Sequence, residues 1–290
     1  MMTLAARVRR LLAVTLVAAV PVFAGCVDLA AKAIATSPNH GKSIDIRRRP
    51  DKAALHKRGV ADAFRVEIDQ PKASLSVWIV DPPLIRGESP KPRATILFLH
   101  GIFARKELML ETARSFAAVG YRGVLVDSRG HGESTGDYLG YGALEARDYS
   151  RVLDELEKRG LIAGRVGVYG CSYGAGVGVQ FGARDRRVSA VVALAPFSSM
   201  REIVHDRARS LGLRLLLSEK SVDAAIALAC QRAGIPPEGA DGVAAIRSRS
   251  VPLLVIHGRK DSNDSLLTRG ASDRRRWAEC AACSGRQRDA

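Results

Sequence analysis

The sequence predicts an α/β protein built on a doubly wound, mostly parallel sheet. The chain of 290 residues is 47% apolar, which suits one domain of this kind, and short runs of Val, Ile and Leu alternate with helical patterns. Continuous apolar runs indicate strands that are buried on both faces, as in a parallel sheet covered by helices. The predicted buried strands are residues 94–99, 123–126, 166–169, 188–194 and 251–256.

The predicted domain opens with a hairpin. Residues 65–68 and 75–80 alternate partly between apolar and polar side chains, and a turn that contains Pro71 separates them. This pattern predicts two antiparallel strands at the start of the sheet. We expect one domain over residues 61–261.

Helical spacing appears between the strands and again late in the domain. Met109, Ala113, Phe116 and Ala117 recur at helical spacing before Gly120, and a second pattern begins at Tyr149 and ends before Gly160. Its apolar positions are Tyr149, Val152, Leu153 and Leu156. No strand pattern occurs within residues 196–250, of which 203–217 look helical, so this segment is predicted to be a small inserted helical cap.

The N-terminus carries an export signal. Arg7, Arg9 and Arg10 precede an apolar stretch over residues 11–23, which indicates a signal peptide over residues 1–25. The following Ala-Gly-Cys26 resembles the lipobox of bacterial lipoproteins, which implies lipidation of Cys26; ordinary cleavage after residue 24 is the alternative. We expect an exported protein of the cell envelope, with basic residues 26–60 as a tether between membrane and domain.

Composition narrows the choice of partners. Lys+Arg 45 against Asp+Glu 30 gives 45 − 30 = +15, but the charge is scattered and aromatic residues make up only 5%. No aromatic side chains interleave with the basic runs at 42–58 and 269–288, which argues against nucleic-acid binding. The membrane therefore remains the macromolecular partner.

The cysteines do not indicate a metal site. Cys280 and Cys283 form a lone C-x-x-C without a second ligand pair, so a local disulfide or no bond is expected rather than zinc. Cys230 lies in a segment that looks helical. Cys171 is interpreted as a small buried side chain.

A nucleophilic serine is predicted at the end of the strand 166–169. Ser172 is the centre of Gly170-Cys171-Ser172-Tyr173-Gly174, and small residues follow over 175–179. A strand, a sharp turn and a helix hold such a serine in a strained conformation, which requires small residues two positions before and after it. Its hydroxyl then projects above the sheet edge at a helix N-terminus.

Further motifs follow the other strands. His100-Gly101 ends the strand 94–99, and the next loop can turn the N–H of Ile102 or Phe103 toward a developing oxyanion. Residues 127–134, Asp-Ser-Arg-Gly-His-Gly-Glu-Ser, end the next strand. Asp261 follows the last predicted strand through a short turn.

Taken in this order, the motifs resemble the α/β-hydrolase family over residues 65–261, and most closely its serine aminopeptidase-like and dienelactone-hydrolase-like branches. The resemblance implies Ser172 as nucleophile, Asp261 as the acid, and the N–H groups of Ile102 and Tyr173 as oxyanion donors. It implies no cofactor. Asp264 is the weaker candidate for the acid.

Other polar residues of these motifs are interpreted as structural. His100 and His131 are expected to hold loop turns through their ring nitrogens, and Arg129 to fix its own loop. His257, at the end of a strand, is given the same interpretation.

The C-terminal segment departs from the family pattern. The family's catalytic histidine follows the acid, but no histidine occurs after His257, and residues 262–290 contain no Val or Ile. We hypothesise that the chain leaves its ancestral reading frame, or is truncated, shortly after Asp261. The alternatives for the base are His131, His257 and His205.

Two functions are compatible with the sequence. The first is an envelope-associated serine hydrolase that acts on a small carboxylic ester, with a peptide or amide substrate as the variant. The second is a remnant or binding protein that keeps the fold without the reaction.

Overall fold

A computed structural model describes residues 25–47, 51–249 and 251–258 of the chain. Within these residues a single sheet of seven strands has the order β1-β2-β4-β3-β5-β6-β7. The strands are β1 (Asp62–Ile68), β2 (Ala73–Val80), β3 (Ala94–Leu99), β4 (Arg122–Val126), β5 (Arg165–Cys171), β6 (Val188–Leu194) and β7 (Leu253–Ile256).

The sheet is mixed, and its parallel part carries the site. β1 pairs with β2 and β2 with β4 in antiparallel fashion, whereas β4, β3, β5, β6 and β7 run parallel to one another. The predicted α/β fold with an opening hairpin is confirmed. Because the strands from β3 onward are parallel, their carboxyl ends lie at one edge of the sheet, where loops collect functional groups.

Helices cover both faces of the sheet. The helices are α1 (described from residue 25 to residue 35), α2 (Lys52–Lys57), α3 (Leu110–Ala118), α4 (Glu145–Lys158), α5 (Tyr173–Arg184), α6 (Met200–Ser210), α7 (Glu219–Ala233) and α8 (Gly242–Ser248). One hydrophobic cluster joins α2 and α3 to the sheet through Leu55, Leu110 and Phe98. A larger cluster on the other face includes Tyr149 of α4 and Phe181 of α5. The predicted glycine stops after α3 and α4 have positive φ, 93° at Gly120 and 66° at Gly160.

The region between β6 and β7 is helical, in agreement with the predicted cap. Its described residues contain α6, α7 and α8 and two short 3-10 turns, Leu213–Leu215 and Pro237–Gly239, but no strand. Helices α6 and α7 pack on each other, whereas α8 packs against α5 beside the sheet. The cap therefore consists of α6, α7 and the turn between them, and α8 belongs to the main body.

The structure corrects the predicted tether over residues 26–60. Ala31 and Ala35 of α1 are buried in the larger core, and the carbonyl oxygen of Ala35 accepts a hydrogen bond from Leu139 N–H at 2.8 Å. Tyr141 Oη donates to the carbonyl oxygen of Ile34 at 3.0 Å. Residues 25–40 are thus part of the packed body, because short alanine side chains let α1 lie close to the loop before α4.

The predicted signal peptide falls almost entirely outside the described residues. The helices within residues 25–47, 51–249 and 251–258 are all too short or too polar to span a bilayer.

Candidate active site

Ser172 occupies a strained turn between β5 and α5. Its backbone has φ 51° and ψ −114°, and its N–H donates to the carbonyl oxygen of Leu194 at 2.8 Å. A Cβ on Gly170 would lie 2.4 Å from the carbonyl oxygen of Gly174, and one on Gly174 would lie 2.4 Å from that of Leu99. Larger residues at either glycine would therefore push the turn apart. Ser172 itself is exposed at the sheet edge, as the motif predicts.

The loop after β3 faces Ser172. A Cβ on Gly101 would lie 3.6 Å from the Ser172 Cβ, and Ala104 N–H donates to the carbonyl oxygen of Gly101 at 3.1 Å. Between these residues the Ile102 N–H makes no hydrogen bond within the described chain. Tyr173 is the first residue of α5, so its N–H has no partner inside the helix. The structure thus brings the predicted oxyanion donors, Ile102 and Tyr173, to the serine.

Asp127 ties this loop to the one after β4. Its two carboxylate oxygens accept hydrogen bonds from the N–H of Lys106 at 2.7 Å and from the N–H of Glu133 at 2.8 Å. The Lys106 ammonium is 0% exposed and lies 2.7 Å from a carboxylate oxygen of Asp127 and 2.7 Å from one of Glu133. It also lies 4.5 Å from the centre of the Trp78 ring. This buried group sets the position of the loop after β3, residues 100–105, which is called the oxyanion loop below.

The histidines of the two loops are structural, as predicted. His100 Nδ1 lies 2.8 Å from the carbonyl oxygen of Gly101, and its Nε2 accepts the Ser128 N–H at 3.1 Å, which places the proton on Nδ1. His131 Nδ1 lies 2.9 Å from the carbonyl oxygen of Arg129. Burial lowers the pKa of both rings, and together with neighbouring His100 it lowers the pKa of His131 to about 4. Both rings therefore brace the loops as neutral groups.

Arg129 is also structural. It donates from Nε and Nη2 to the two carboxylate oxygens of Asp148, at 2.6 and 2.7 Å, and both side chains are buried. This two-point pair locks the loop after β4 onto α4.

A buried carboxylate that sequence reasoning missed lies under the serine turn. Glu145 is fully buried at the start of α4 and accepts hydrogen bonds from Gly140 N–H at 2.8 Å and Gly142 N–H at 2.9 Å. It also accepts one from Tyr173 Oη at 2.8 Å. Burial and the Glu145 charge raise the pKa of Tyr173 well above its usual value. The only signal for Glu145 in the sequence is the turn Gly140-Tyr141-Gly142, which precedes a helix with acidic residues in its first turn.

Ser172 opens into an apolar cavity of about 600 Å³. Its walls come from α1, the oxyanion loop, the ends of β5, β6 and β7, and the cap. The described lining contains no carboxylate and one arginine, Arg207 of α6. The lining residues are Ala30, Ala33, Ile34, Ile102, Phe103, Tyr141, Ser172, Tyr173, Ala195, Pro196, Phe197, Ile203, Val204, Arg207, Ala208, Leu211, Leu213, Leu217, Val222, Ala225 and His257.

Only one imidazole lines this cavity. All six histidines of the chain lie within the described residues, and of these only His257 contributes to the lining. It follows β7, and its Nε2 lies 3.5 Å from the carbonyl oxygen of Pro196. His205 Nε2 instead lies 2.8 Å from Asp223 Oδ1, inside the cap. Of the three alternatives for the base, His257 is therefore the one beside the Ser172 cavity.

The structure describes only some of the remaining predicted residues, which are the two acid candidates and the cysteines. Asp261 and Asp264 lie outside the described residues, as do Cys280 and Cys283. Cys26 is exposed in α1 and Cys230 is buried in α7. Cys171 is half-buried, so it is less enclosed than the sequence suggests, because the sheet face beneath it is only partly covered.

The strained serine, the facing loop and the doubly wound sheet define a serine hydrolase of the α/β-hydrolase fold. The model of the X-Pro dipeptidyl-peptidase family (S15 family) matches residues 72–281, and the chain belongs to this family. The match confirms the α/β-hydrolase resemblance and extends past Asp261 into the atypical segment. The reading-frame hypothesis stays a prediction.

Solved structures with the same fold include known hydrolases. An esterase of Pyrococcus furiosus is 20% identical, with 80% of this chain and 81% of that chain covered and a TM-score of 0.56. The 2,6-dihydroxy-pseudo-oxynicotine hydrolase is 17% identical, with 70% of this chain and 54% of that chain covered and a TM-score of 0.51. At these identities the likeness shows the fold alone. No curated protein matches the sequence.

Proposed function

We propose that this chain is an envelope-associated serine esterase that hydrolyses a carboxylic ester through an acyl-Ser172 intermediate. The observation that carries the proposal is the position of Ser172. Its strained backbone, φ 51°, presents the side chain to an apolar cavity beside the Ile102 and Tyr173 N–H groups. A carbonyl group placed there would meet the nucleophile and two oxyanion donors together.

The proposed reaction has two halves. Ser172 Oγ attacks the acyl carbon, its proton moves to a base, and the two N–H groups stabilise the oxyanion. The base then protonates the departing alkoxide, which leaves an acyl-serine. In the second half a water molecule gives a proton to the same base and attacks the acyl carbon. The base then returns the proton to Ser172 Oγ as the bond between Oγ and the acyl carbon breaks, which releases the acid and restores Ser172.

His257 is the base that we propose, with Asp261 as the acid that orients it. Support for His257 is that no other imidazole of the chain lines the Ser172 cavity. It follows β7, two strands from β5, so ordinary strand spacing separates the backbones of Ser172 and His257 by roughly 10 Å. The two side chains must close this distance on a bound substrate, and we therefore expect modest turnover.

The lining of the cavity favours an ester over a peptide. An enzyme that releases dipeptides from an N-terminus must hold a free amino group, which is largely cationic near neutral pH. A carboxylate would bind that group, yet the described lining contains none and instead presents Arg207. A peptide or amide is the second candidate substrate, because the chain belongs to a family named for a dipeptidyl-peptidase.

A non-catalytic binding protein is the other candidate. It is favoured by one observation: within the described residues, no histidine makes a hydrogen bond to Ser172. Loss of the base in serine triads lowers turnover by about 10⁶-fold, so such a chain would bind without measurable hydrolysis.

Envelope association rests on the N-terminal sequence. Residues 1–25 have the form of a signal peptide, and the lipobox-like Cys26 is exposed in α1.

Parallel assays of esters and aminoacyl amides test the proposal. We expect wild-type protein to hydrolyse nitrophenyl acetate and hexanoate, Ser172→Ala to be inactive, and Xaa-Pro nitroanilides to be poor substrates. Ser115→Ala is the matched control, because Ser115 Oγ only donates to the Glu111 carbonyl oxygen on exposed α3. Faster release of the anilides than of the esters would contradict the ester assignment. Folded wild-type protein without activity on either would favour the binding protein.

A further inference from the structure

The mouth of the Ser172 cavity is rimmed by exposed apolar side chains from three separate segments. Leu211 and Leu213 of the cap and Phe103 of the oxyanion loop are exposed and line the cavity. Leu29 of α1 is also exposed, and Ala30 and Ala33 beside it contribute to the same lining. Clustered exposed apolar groups on a folded domain mark an interaction surface, whereas isolated ones do not.

The cap segment has the composition of a membrane-surface element. Residues 207–218 contain five leucines and three arginines and no acidic residue. Leu215 is 91% exposed and Leu216 is 76% exposed, and both stand between Leu213 and Leu217, which line the cavity. Arg209 and Arg214 contact Asp206 and Glu219, whereas Arg207 makes no ion pair within the described residues. Leucine with arginine on one exposed surface suits the boundary between acyl chains and anionic headgroups.

Helix α1 extends this surface. Cys26, Leu29 and Ala33 are spaced three or four residues apart, so they share one face of the helix. The helix is fixed to the cap by the contact of Arg232 with Asp28. The exposed Lys32 lies next to Ala33. The predicted lipidation site thus lies on the same helix face as the edge of the cavity.

We propose that the leucine rim, defined as Leu29, Phe103, Leu211, Leu213, Leu215 and Leu216, docks onto the surface of an anionic lipid bilayer. In this orientation the cavity opens toward the lipid, and the ester is an acyl lipid that enters from the bilayer. The choice of substrate rests on the proposed function. The docking does not, since it requires no chemistry at Ser172.

Charge favours a bilayer over a second copy of the chain. Self-association through the rim would bring Arg207 of both copies together, on chains with a formal net charge of +15 each. An anionic lipid surface attracts Arg207 while the leucines enter the acyl region.

Vesicle partition of matched variants tests the docking. The full chain carries Cys26→Ser in every variant, so that lipid attached to this residue cannot contribute. The test variant is Leu215→Gln/Leu216→Gln, because these leucines are exposed but do not line the cavity. The control is Leu84→Gln/Ile85→Gln. These exposed residues precede the amino end of β3, at the sheet edge opposite to Ser172.

We expect partition onto vesicles of phosphatidylcholine and phosphatidylglycerol to fall at least about tenfold in the test variant and less than about twofold in the control. Hydrolysis of a soluble short ester should stay unchanged in both, and Arg207→Gln should reduce the preference for phosphatidylglycerol. Ser172→Ala should partition like its parent, so a failure of the proposed chemistry leaves this result intact.

Two results would overturn the docking proposal. One is equal partition of test and control variants, both shown to be folded by thermal melting, including the case in which neither binds. The other is a dimer, seen by light scattering, that Leu215→Gln/Leu216→Gln converts into a monomer, which would assign the rim to a second copy.

Discussion

Replacing Lys106 with methionine should destabilise the domain by about 3 kcal/mol, because it leaves a buried carboxylate without its cation. The ammonium is 0% exposed and lies 2.7 Å from both Asp127 and Glu133. Methionine keeps much of the apolar stem beside Trp78. Asp127 retains the N–H donors of Lys106 and Glu133, and the half-exposed Glu133 can turn to water, so the loss should fall at the low end of the roughly 3–5 kcal/mol typical of broken buried pairs.

Urea denaturation at neutral pH measures this loss. Arg114→Met is the control, because Arg114 pairs with Glu111 on the exposed surface of α3 and its removal should cost less than about 0.5 kcal/mol. In an Asp127→Asn background the effect of Lys106→Met should shrink, since no buried aspartate then lacks its cation. A loss below about 1 kcal/mol in the wild-type background would refute the claim that this ion pair holds the oxyanion loop.

Three further predictions follow from the same loops and from the cavity. Because the folded pKa of His131 is about 4 against 6.5 for the free ring, its contribution to stability is complete above pH 6.5 and is lost as the pH falls toward 4, by about 3 kcal/mol in all. The fall in urea midpoint from pH 7 to pH 5 should be smaller in His131→Asn than in wild type, because only buried His100 then contributes from these two loops; equal falls in the two proteins would contradict this. Gly132→Ala should cost about 3 kcal/mol, because a Cβ there lies 2.3 Å from the Asp127 carboxylate at φ 51°, and unchanged thermal melting would disprove the close approach. His257→Gln should lower ester turnover at least about 100-fold, whereas His205→Gln should not, and equal rates in both would exclude His257 as the base.

Most of the sheet is predictable from sequence because its signals are local. The predicted strands 94–99 and 188–194 coincide with β3 and β6, and the predicted strand 166–169 lies within β5. Each is a buried run of β-branched and other apolar residues, which few other structures accommodate. The serine turn is predictable for a similar reason: Gly170 and Gly174 are required by contacts within a few residues of Ser172 or with the adjacent β3.

The remaining parts depend on contacts between distant segments. Helix α1 is missed within the predicted tether because its buried face consists of small alanines, and its role as a cavity wall depends on the loop before α4. Lys106 reads as a surface residue until Asp127, 21 positions later, is placed beside it. Glu145 likewise acquires its role only when α5 brings Tyr173 to it. Contacts between residues so far apart in the chain leave no local pattern in a single sequence from which they could be predicted.

The most direct test of the central claim is the mass of the intact protein after reaction with a fluorophosphonate. If Ser172 is a nucleophile presented to the cavity beside two oxyanion donors, one adduct should form and map to Ser172, and Ser172→Ala should gain no mass. Folded wild-type protein that stays unmodified, or an adduct on a different serine, would contradict the assignment of this site as a serine hydrolase centre.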